Sequence, residues 1–308
     1  MQLSTRDSVL TGAYYYVRNG RLLDLTGDVA PDGVVALRES AVFDTASTGR
    51  FEGRVQPDGK LIGSWHNAAG TVHLPFALAR VGGTTPPAVT RARVGAKTYF
   101  KTFTIPLPMV PDVGMSKLLA EYFSLESLIS ETPMSLRDKL ADEQENGLHY
   151  GPQTLGYDVG YNAQGILSIT TSSEGLGASV WYDYRTQTLD LNTGFPVVVA
   201  DEIRPELVPA FLALGQQKLQ EITRQYVPTQ EGFLQPDDVA GVLGQTFSLS
   251  STKEYTVSST GLLFDHPVSY DSLSNFVWKT LRGNFQVTFS HAELARFLKS
   301  DSPLRRLK

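Results

Sequence analysis

Residues 205–226, PELVPAFLALGQQKLQEITRQY, decide the fold class, because they form the clearest helical pattern in the chain. Their apolar side chains keep the 3.6-residue period of an α-helix at Leu207, Val208, Phe211, Leu214, Leu219 and Ile222. Pro205 suits the first helical position, where its missing N–H leaves no hydrogen bond unmade. Strand patterns flank this helix on both sides. The sequence therefore predicts an α+β fold with helices packed on an antiparallel sheet.

The flanking strand patterns are short runs of alternating, β-branched or aromatic residues. They lie at residues 157–161, 165–171, 180–184, 246–249, 255–257, 261–264 and 284–289. A turn is predicted at 185–187, between the third strand and Leu189-Asp190-Leu191. Ser290 and Glu293 have the spacing of a capping box, which predicts a last helix from Ser290.

Upstream of these strands, the pattern predicts two helices and one further strand. The helices cover residues 116–129 and 136–145. The strand covers 97–105 and ends before Pro106, which cannot donate a hydrogen bond to a sheet.

Residues 8–81 form a separate pattern of short strands joined by tight turns. Strands are predicted at residues 10–17, 22–25, 34–37, 51–55, 61–65 and 72–78. Asn19-Gly20 and the Pro-Asp-Gly triplets at 31–33 and 57–59 are typical of tight turns. These features predict an antiparallel β-meander. The stretch 81–87 has two glycines and a Pro-Pro step, so we expect a β-rich domain at 1–83 and an α+β domain at 84–308.

The composition excludes several functional classes. The 308 residues include 27 basic and 32 acidic ones, and this acidic surplus disfavours nucleic acid, which requires a concentrated basic patch. The absence of cysteine removes disulfides, thiolate metal sites and thiol nucleophiles. The apolar stretch at 195–200 is far shorter than the roughly 20 residues of a membrane helix.

No linear catalytic signature occurs in the chain. It has no Gly-x-Ser-x-Gly elbow, no His-Glu-x-x-His and no glycine-rich phosphate loop. His66 and His73 flank a turn and could meet across a hairpin as a two-ligand metal site, but ordinary turn histidines are the favoured interpretation. We therefore expect no catalytic residue, no metal and no cofactor.

Two short aromatic runs could form either core or binding surface. In Tyr14-Tyr15-Tyr16 the strand pleat places Tyr14 and Tyr16 on one face and Tyr15 on the other, and 181–184 (Trp-Tyr-Asp-Tyr) behaves likewise. One face would be core, and the other could stack on a sugar or contact a protein. Core plus ordinary sheet surface is the favoured interpretation.

The segment from His266 to Trp278 is the predicted binding loop. It lies between two strands and is rich in aromatic and polar residues, and long loops on a rigid sheet are common recognition sites. The candidate binding residues are His266, Tyr270, Asp271, Asn275, Phe276 and Trp278. The alternative is a well-packed connection with no ligand.

The order of motifs in the last two thirds of the chain resembles a known family pair. Asp183 to Leu191 followed by a long helix matches its strand–turn–helix pattern, although Gln187 replaces the usual glycine. Its ending is matched by the motifs at 255–257, 261–264, 270, 283, 287–290 and 293–294. The resemblance covers residues 97–300. It is to the domains of unknown function 3298 and 4163, found in the ectodomain of the lysozyme-sensing anti-sigma factor and beside the catalytic domain of peptidoglycan deacetylase C.

This resemblance implies an exported cell-envelope protein, periplasmic or at the cell surface, whose signal or lipid anchor is not present in this chain. It implies a protein or cell-wall glycan partner, with lysozyme as a candidate, and a contact surface at 265–283. It implies no nucleic acid, and a membrane only through such an anchor. A cell-wall hydrolase or deacetylase without a linear motif and an architectural surface protein are the alternatives.

Overall fold

The computed structural model describes residues 1–6, 9–16, 20–41, 46–79, 88–147, 150–230, 232–269, 273–281, 283 and 285–307. The chain forms two compact units. The first comprises Met1–Gly82, Ala92–Tyr99 and Ile105–Gly147, and the second comprises Gly83–Arg91, Phe100–Thr104 and Leu148–Lys308. The predicted α+β class is confirmed. The domain boundary at residue 83 stays a prediction.

The first unit begins with a seven-stranded antiparallel sheet whose strands follow chain order. Its strands are β1 (Gln2–Arg6), β2 (Val9–Tyr15), β3 (Leu22–Val29), β4 (Val34–Ala41), β5 (Ser47–Val55), β6 (Leu61–Asn67) and β7 (His73–Leu78). Each strand pairs with the next through a hairpin. The predicted meander is confirmed, and β1 is a strand that the sequence pattern did not indicate.

This sheet is strongly curled, and its concave face holds the core. Phe51 of β5 contacts Tyr14 of β2 with ring centroids 5.5 Å apart. In a flat sheet these strands would be roughly 14 Å apart, since neighbouring strands are spaced by about 4.8 Å. Leu25, Val35 and Leu37 are buried on the same face. The curl therefore lets one layer of strands bury its own apolar side chains.

After the meander the chain forms a hairpin and three helices. They are β8 (Arg93–Tyr99), β9 (Phe103–Met109), α1 (Val113–Tyr122), α2 (Leu125–Ile129) and α3 (Pro133–Asn146). The single strand predicted at 97–105 is wrong, because the chain reverses at Phe100 and Lys101, both with positive φ. No glycine marks this turn. The single helix predicted at 116–129 is also wrong, because Ser124 caps a new helix within it.

The second unit contains a sheet of long strands: β10 (Gly151–Ala163), β11 (Ile166–Leu176), β12 (Val180–Asp190) and β13 (Phe195–Pro196). Their order is β13-β12-β11-β10, and Phe103 adds a parallel bridge to Leu155. The turn predicted at 185–187 is wrong, because these residues stay in register with β11. The Thr186 and Thr170 hydroxyl oxygens are 2.8 Å apart across the two strands, a pairing that favours the extended backbone.

A helical layer and a small antiparallel sheet complete the second unit. The elements are α4 (Val199–Glu202), a 3₁₀ turn at Pro205–Leu207, α5 (Val208–Thr229), α6 (Pro236–Leu243), a 3₁₀ turn at Leu249–Thr252, β14 (Tyr255–Val257), β15 (Gly261–Asp265), α7 (Asn275–Leu281), β16 (Gln286–Ser290), α8 (His291–Ala295) and a 3₁₀ turn at Pro303–Arg306. The predicted long helix corresponds to the first 3₁₀ turn and α5. The predicted capping box at Ser290 and Glu293 is confirmed.

Phe211 of α5 is the centre of this unit's core. Its ring lies 4.9 Å from Phe289 and 5.5 Å from Phe297, centroid to centroid, and also contacts Phe247 and Phe264. The strand predicted at 246–249 is wrong, because Phe247 lies in none of the described strands. Its ring packs against Gly215, where an added β-carbon would lie 2.2 Å from the ring. No helix in the described residues is long and apolar enough to cross a membrane.

Candidate functional site

His266, directly after β15, is the predicted site residue with the best-defined surroundings. It is 5% exposed, and its backbone N–H donates to the Phe285 carbonyl at 2.9 Å. The Ser251 hydroxyl lies 3.1 Å from its Nδ1, and Gln245 Oε1 lies 3.4 Å from its Nε2. Because Ser251 Oγ accepts the Ser248 N–H, its proton is free to donate to Nδ1. Burial lowers the pKa of His266 to about 4, so the ring is neutral at pH 7.

A small polar cavity of about 320 Å³ lies beside this network. Its lining residues carry hydroxyl, amide and imidazole groups or are small, and they are Gly241, Gly244, Gln245, Thr246, Ser250, Ser251, His266, Pro267 and Ser269. Ser251 is only 1% exposed, and its oxygen already caps a 3₁₀ turn. The serine–histidine contact therefore does not present an accessible nucleophile. The cavity is suited to hydrogen bonding with a small polar ligand.

The second half of the predicted binding loop is anchored in the core. The Trp278 indole N–H donates to the Val268 carbonyl at 2.9 Å, and the ring packs against the second unit's core. Val268, Leu273 and Val277 are buried. The segment also contains α7 where the sequence pattern predicted only loop. These contacts fix the loop on the small sheet.

The other predicted site residues are less fully described. Asn275 and Phe276 lie in α7. Tyr270 and Asp271 lie outside the described residues. Of the predicted site residues, His266 and Trp278 are thus close in the fold, because the Trp278 indole N–H donates to the carbonyl of Val268, two residues after His266. The binding role of the loop stays a prediction.

A second candidate site is an exposed apolar row on β12, which we call the tyrosine strip: Val180, Tyr182 and Tyr184. These side chains are 51%, 58% and 65% exposed. They lie on one face of the strand, because alternate residues point to the same side. Large apolar side chains exposed in a row, rather than singly, are typical of interaction surfaces.

The tyrosine strip lies on an open strand edge. On one side β12 pairs with β11 along its whole length, whereas on the other β13 pairs only with Leu189 and Asp190. The Thr186 N–H points away from β11 and donates to Glu254 Oε2 at 3.3 Å. In an antiparallel ladder alternate residues share this direction, so the N–H groups of Tyr182 and Tyr184 also point outward. The strip therefore offers both aromatic faces and backbone hydrogen-bonding groups.

Carboxylates surround this edge. Glu174 lies directly opposite Tyr182 on β11. Burial raises the pKa of Glu254, and the nearby Asp183 and Asp265 carboxylates raise it further. Arg185 is the basic group beside them, and its Nε is already 2.8 Å from Asp183 Oδ2. The surroundings of the strip are therefore acidic.

No family model matches the sequence, and no curated protein matches it. A solved structure from Bacteroides fragilis NCTC 9343 is 14% identical, covers 72% of this chain and 98% of its own, and superposes with a TM-score of 0.44. One from Pseudomonas aeruginosa PAO1 is 15% identical, covers 71% of this chain and 97% of its own, and gives a TM-score of 0.43.

Both structural neighbours are DUF3298 family proteins. This is one of the two families that the sequence resembles. The neighbours' descriptions name no ligand, partner or activity.

Proposed function

We propose that this chain is a non-catalytic binding protein of the bacterial cell envelope, and that it receives a cationic protein partner on the tyrosine strip. The observation that carries the proposal is the exposed row of Val180, Tyr182 and Tyr184, on an edge with which no described strand pairs at these residues. Tyrosine is enriched at the energetic centres of protein interfaces, because it buries a large rigid surface at low entropic cost.

The charge around the strip supports a basic partner. Glu174 lies opposite Tyr182 on the face that carries the strip, and Glu254 lies at the edge itself. The whole chain carries a formal charge of −5. Complementary charge at the rim of an apolar surface steers association and favours partners of opposite sign.

The envelope location is supported by the sequence resemblance to the anti-sigma factor and deacetylase domains. Lysozyme, which the anti-sigma factor senses, is a basic protein and therefore the first partner to test. The loop at 265–283 begins at Asp265, close enough to Glu254 to raise its pKa. The Asp265 N–H donates to the Glu254 carbonyl at 3.1 Å, so the first residue of the predicted contact surface lies beside the strand edge that carries the strip.

A cell-wall glycan is a second candidate ligand, favoured by one observation. Gly156 lies opposite Ser172, which in turn lies opposite Tyr184, so the strip is flanked by residues with little or no side chain. A flat shelf beside an exposed aromatic ring suits stacking against a sugar. The hydrolase alternative has no comparable support, because Ser251 and His266 are buried.

The test is calorimetric titration with lysozyme at physiological salt, with cytochrome c as a basic control protein and soluble peptidoglycan fragments as a third titrant. We expect saturable binding of lysozyme alone, weakened at least about 30-fold by Tyr182→Thr combined with Tyr184→Thr, since interface hot spots contribute about 2 kcal/mol or more. Threonine preserves strand propensity. The matched control is Val113→Thr, which alters an equally exposed apolar residue of the first unit.

The other outcomes are distinct. Equal binding of lysozyme and cytochrome c would reduce the interaction to non-specific charge attraction. Binding of peptidoglycan fragments alone, lost in the double variant, would replace the protein partner by a glycan. Unchanged lysozyme binding in the double variant would move the contact away from the strip.

A further inference from the structure

Two histidines meet on the outer face of the curled sheet. His66 of β6 and His73 of β7 are directly opposite each other in the strand register. Their ring centroids are 4.4 Å apart, with the rings nearly perpendicular at 87°. His73 is exposed, whereas the His66 side chain is only 14% exposed. The pair thus combines one fixed imidazole with one that can rotate.

The two nitrogens of His66 are in different environments. Its Nε2 lies 3.5 Å from Glu52 Oε2, and Glu52 is held in turn by Arg50, whose Nε is 3.1 Å from Oε1. Its Nδ1 is buried and has no hydrogen-bond partner among the described residues. A carboxylate beside Nε2 favours the tautomer with the proton there, which leaves the lone pair on Nδ1. A buried lone pair without a donor is costly unless something binds it.

This arrangement matches the way proteins prepare histidine as a metal ligand. Ligating histidines generally donate their other N–H to a carboxylate or carbonyl, which fixes the tautomer and the ring orientation. We propose that His66 and His73 bind a divalent cation of the imidazole-preferring class, such as Zn²⁺, Cu²⁺ or Ni²⁺, with Nδ1 of His66 as one ligand and Glu52 as the positioning carboxylate.

The distances allow this site. Zinc–nitrogen bonds are about 2.0–2.1 Å, which places two tetrahedral ligand nitrogens roughly 3.3 Å apart. The two ring centroids are 4.4 Å apart, and the exposed His73 ring is free to turn toward Nδ1 of His66. The described residues contain no group of three or more His, Cys, Asp and Glu arranged to hold a metal ion. The proposed site therefore has two protein ligands among the described residues.

The site would join the two last strands of the meander. β7 is the edge strand of the sheet and pairs only with β6 among the described strands. A cation bound to both His66 and His73 would crosslink this edge. Because it binds the folded state, it would stabilise the sheet by mass action.

The test uses Cu²⁺ and Zn²⁺ as the probes. We expect one equivalent of Cu²⁺ to bind with two nitrogen ligands in its electron paramagnetic resonance spectrum, and calorimetric titration to give the Zn²⁺ affinity. His66→Gln and His73→Gln should each abolish the two-nitrogen signal. Glu52→Gln should weaken Zn²⁺ binding about 10- to 100-fold, the usual effect of losing a positioning carboxylate.

The matched control is His291→Gln. His291 also has a buried ring nitrogen, Nε2, with no hydrogen-bond partner in the part of the chain that the structure describes. It lies in α8 and not opposite His66. The His291→Gln variant should still bind both Cu²⁺ and Zn²⁺. Circular dichroism shows whether each variant keeps its sheet, and the exposed His73 is the substitution least able to disturb it. Two-nitrogen binding retained in His73→Gln, or no binding by the unaltered protein, would overturn the site. Unchanged Zn²⁺ affinity in Glu52→Gln would overturn the role given to Glu52.

Discussion

Two pairs of tyrosines have the same spacing: Tyr14 on β2 with Tyr16 just after it, and Tyr182 with Tyr184 on β12. They differ in burial, because Tyr14 is enclosed whereas both tyrosines of β12 are exposed. Tyr14 is 8% exposed and Tyr16 is 47% exposed, and their hydroxyl oxygens are 3.1 Å apart. Tyr182 and Tyr184 are both more than half exposed. Identical strand periodicity thus produces a buried anchor in one unit and a surface in the other.

The difference comes from the strands around each pair. Tyr14 lies on the concave face of a curled sheet, where its hydroxyl donates to the Glu39 carboxyl group. Glu39 is 3% exposed and also accepts the Trp65 indole N–H at 2.9 Å and the Thr48 hydroxyl at 2.5 Å. Three donors from three different strands therefore satisfy one buried carboxyl group.

The tyrosine strip has no such enclosure. β12 is an edge strand over Val180 to Gln187, and the carboxylate opposite Tyr182, Glu174, is partly exposed. The residues opposite Tyr182 and Tyr184 on β11 are the polar Glu174 and the small Ser172. An alternating aromatic pattern therefore identifies a strand. The curvature of the sheet and the position of the strand at its edge decide whether the rings become core or contact surface.

The largest expected effect comes from removing each pair's carboxylate. Glu39→Ala should lower the free energy of unfolding by about 2–3 kcal/mol, because the buried Tyr14 hydroxyl and the half-buried Trp65 indole lose their acceptor, and a buried donor without an acceptor costs about 1–3 kcal/mol. Glu174→Ala should change it by less than about 0.5 kcal/mol, as is usual at the surface. Urea unfolding followed by circular dichroism measures both. Equal losses in the two variants would remove the contrast between the pairs.

The second effect is acid sensitivity in the unit that carries the strip. Burial lowers the pKa of His266 from 6.5 to about 4, so the unfolded chain takes up a proton first as the pH falls. The contribution of His266 to the free energy of unfolding is therefore fully present above pH 6.5. As the pH falls from 6.5 to 4, this contribution decreases by about 1–3 kcal/mol. Urea unfolding at several pH values should show a shallower dependence in His266→Gln. The control Pro267→Ala changes the next residue without removing a titrating group and should keep the original slope.

The smallest effect concerns the tyrosine hydroxyls. Tyr14→Phe should cost about 1–2 kcal/mol, since Glu39 loses one of its donors. Tyr184→Phe should stay within about 0.5 kcal/mol. Burial and the Glu39 hydrogen bond raise the pKa of Tyr14, so above pH 10 the unfolded chain ionises first and stability falls by up to about 1.4 kcal/mol per pH unit. Burial also raises the pKa of Tyr122 and Tyr255, so Tyr14→Phe should make this alkaline slope shallower without removing it. An unchanged slope in Tyr14→Phe would contradict the prediction.

Much of the fold was predictable because its signals are local. The turn triplets Pro31-Asp32-Gly33 and Pro57-Asp58-Gly59 marked the meander, and both glycines adopt positive φ. The Ser290–Glu293 capping box depends on residues three apart, and both of its hydrogen bonds are present. The periodicity of α5 needed only its own side chains. Such features depend on neighbours in sequence, which is why the sequence alone specifies them.

The tertiary structure decided what depends on neighbours in space. Phe100 and Lys101 turn the chain without glycine, and Thr186 continues a strand because Thr170 lies beside it. The sequence placed His266 in a binding loop, but the packing of Ser251 and Gln245 around it made it a buried neutral residue. Sequence periodicity determines which side chains share a face. Only the pairing and curvature of strands decide which face is covered, because burial depends on contacts between residues far apart in the chain.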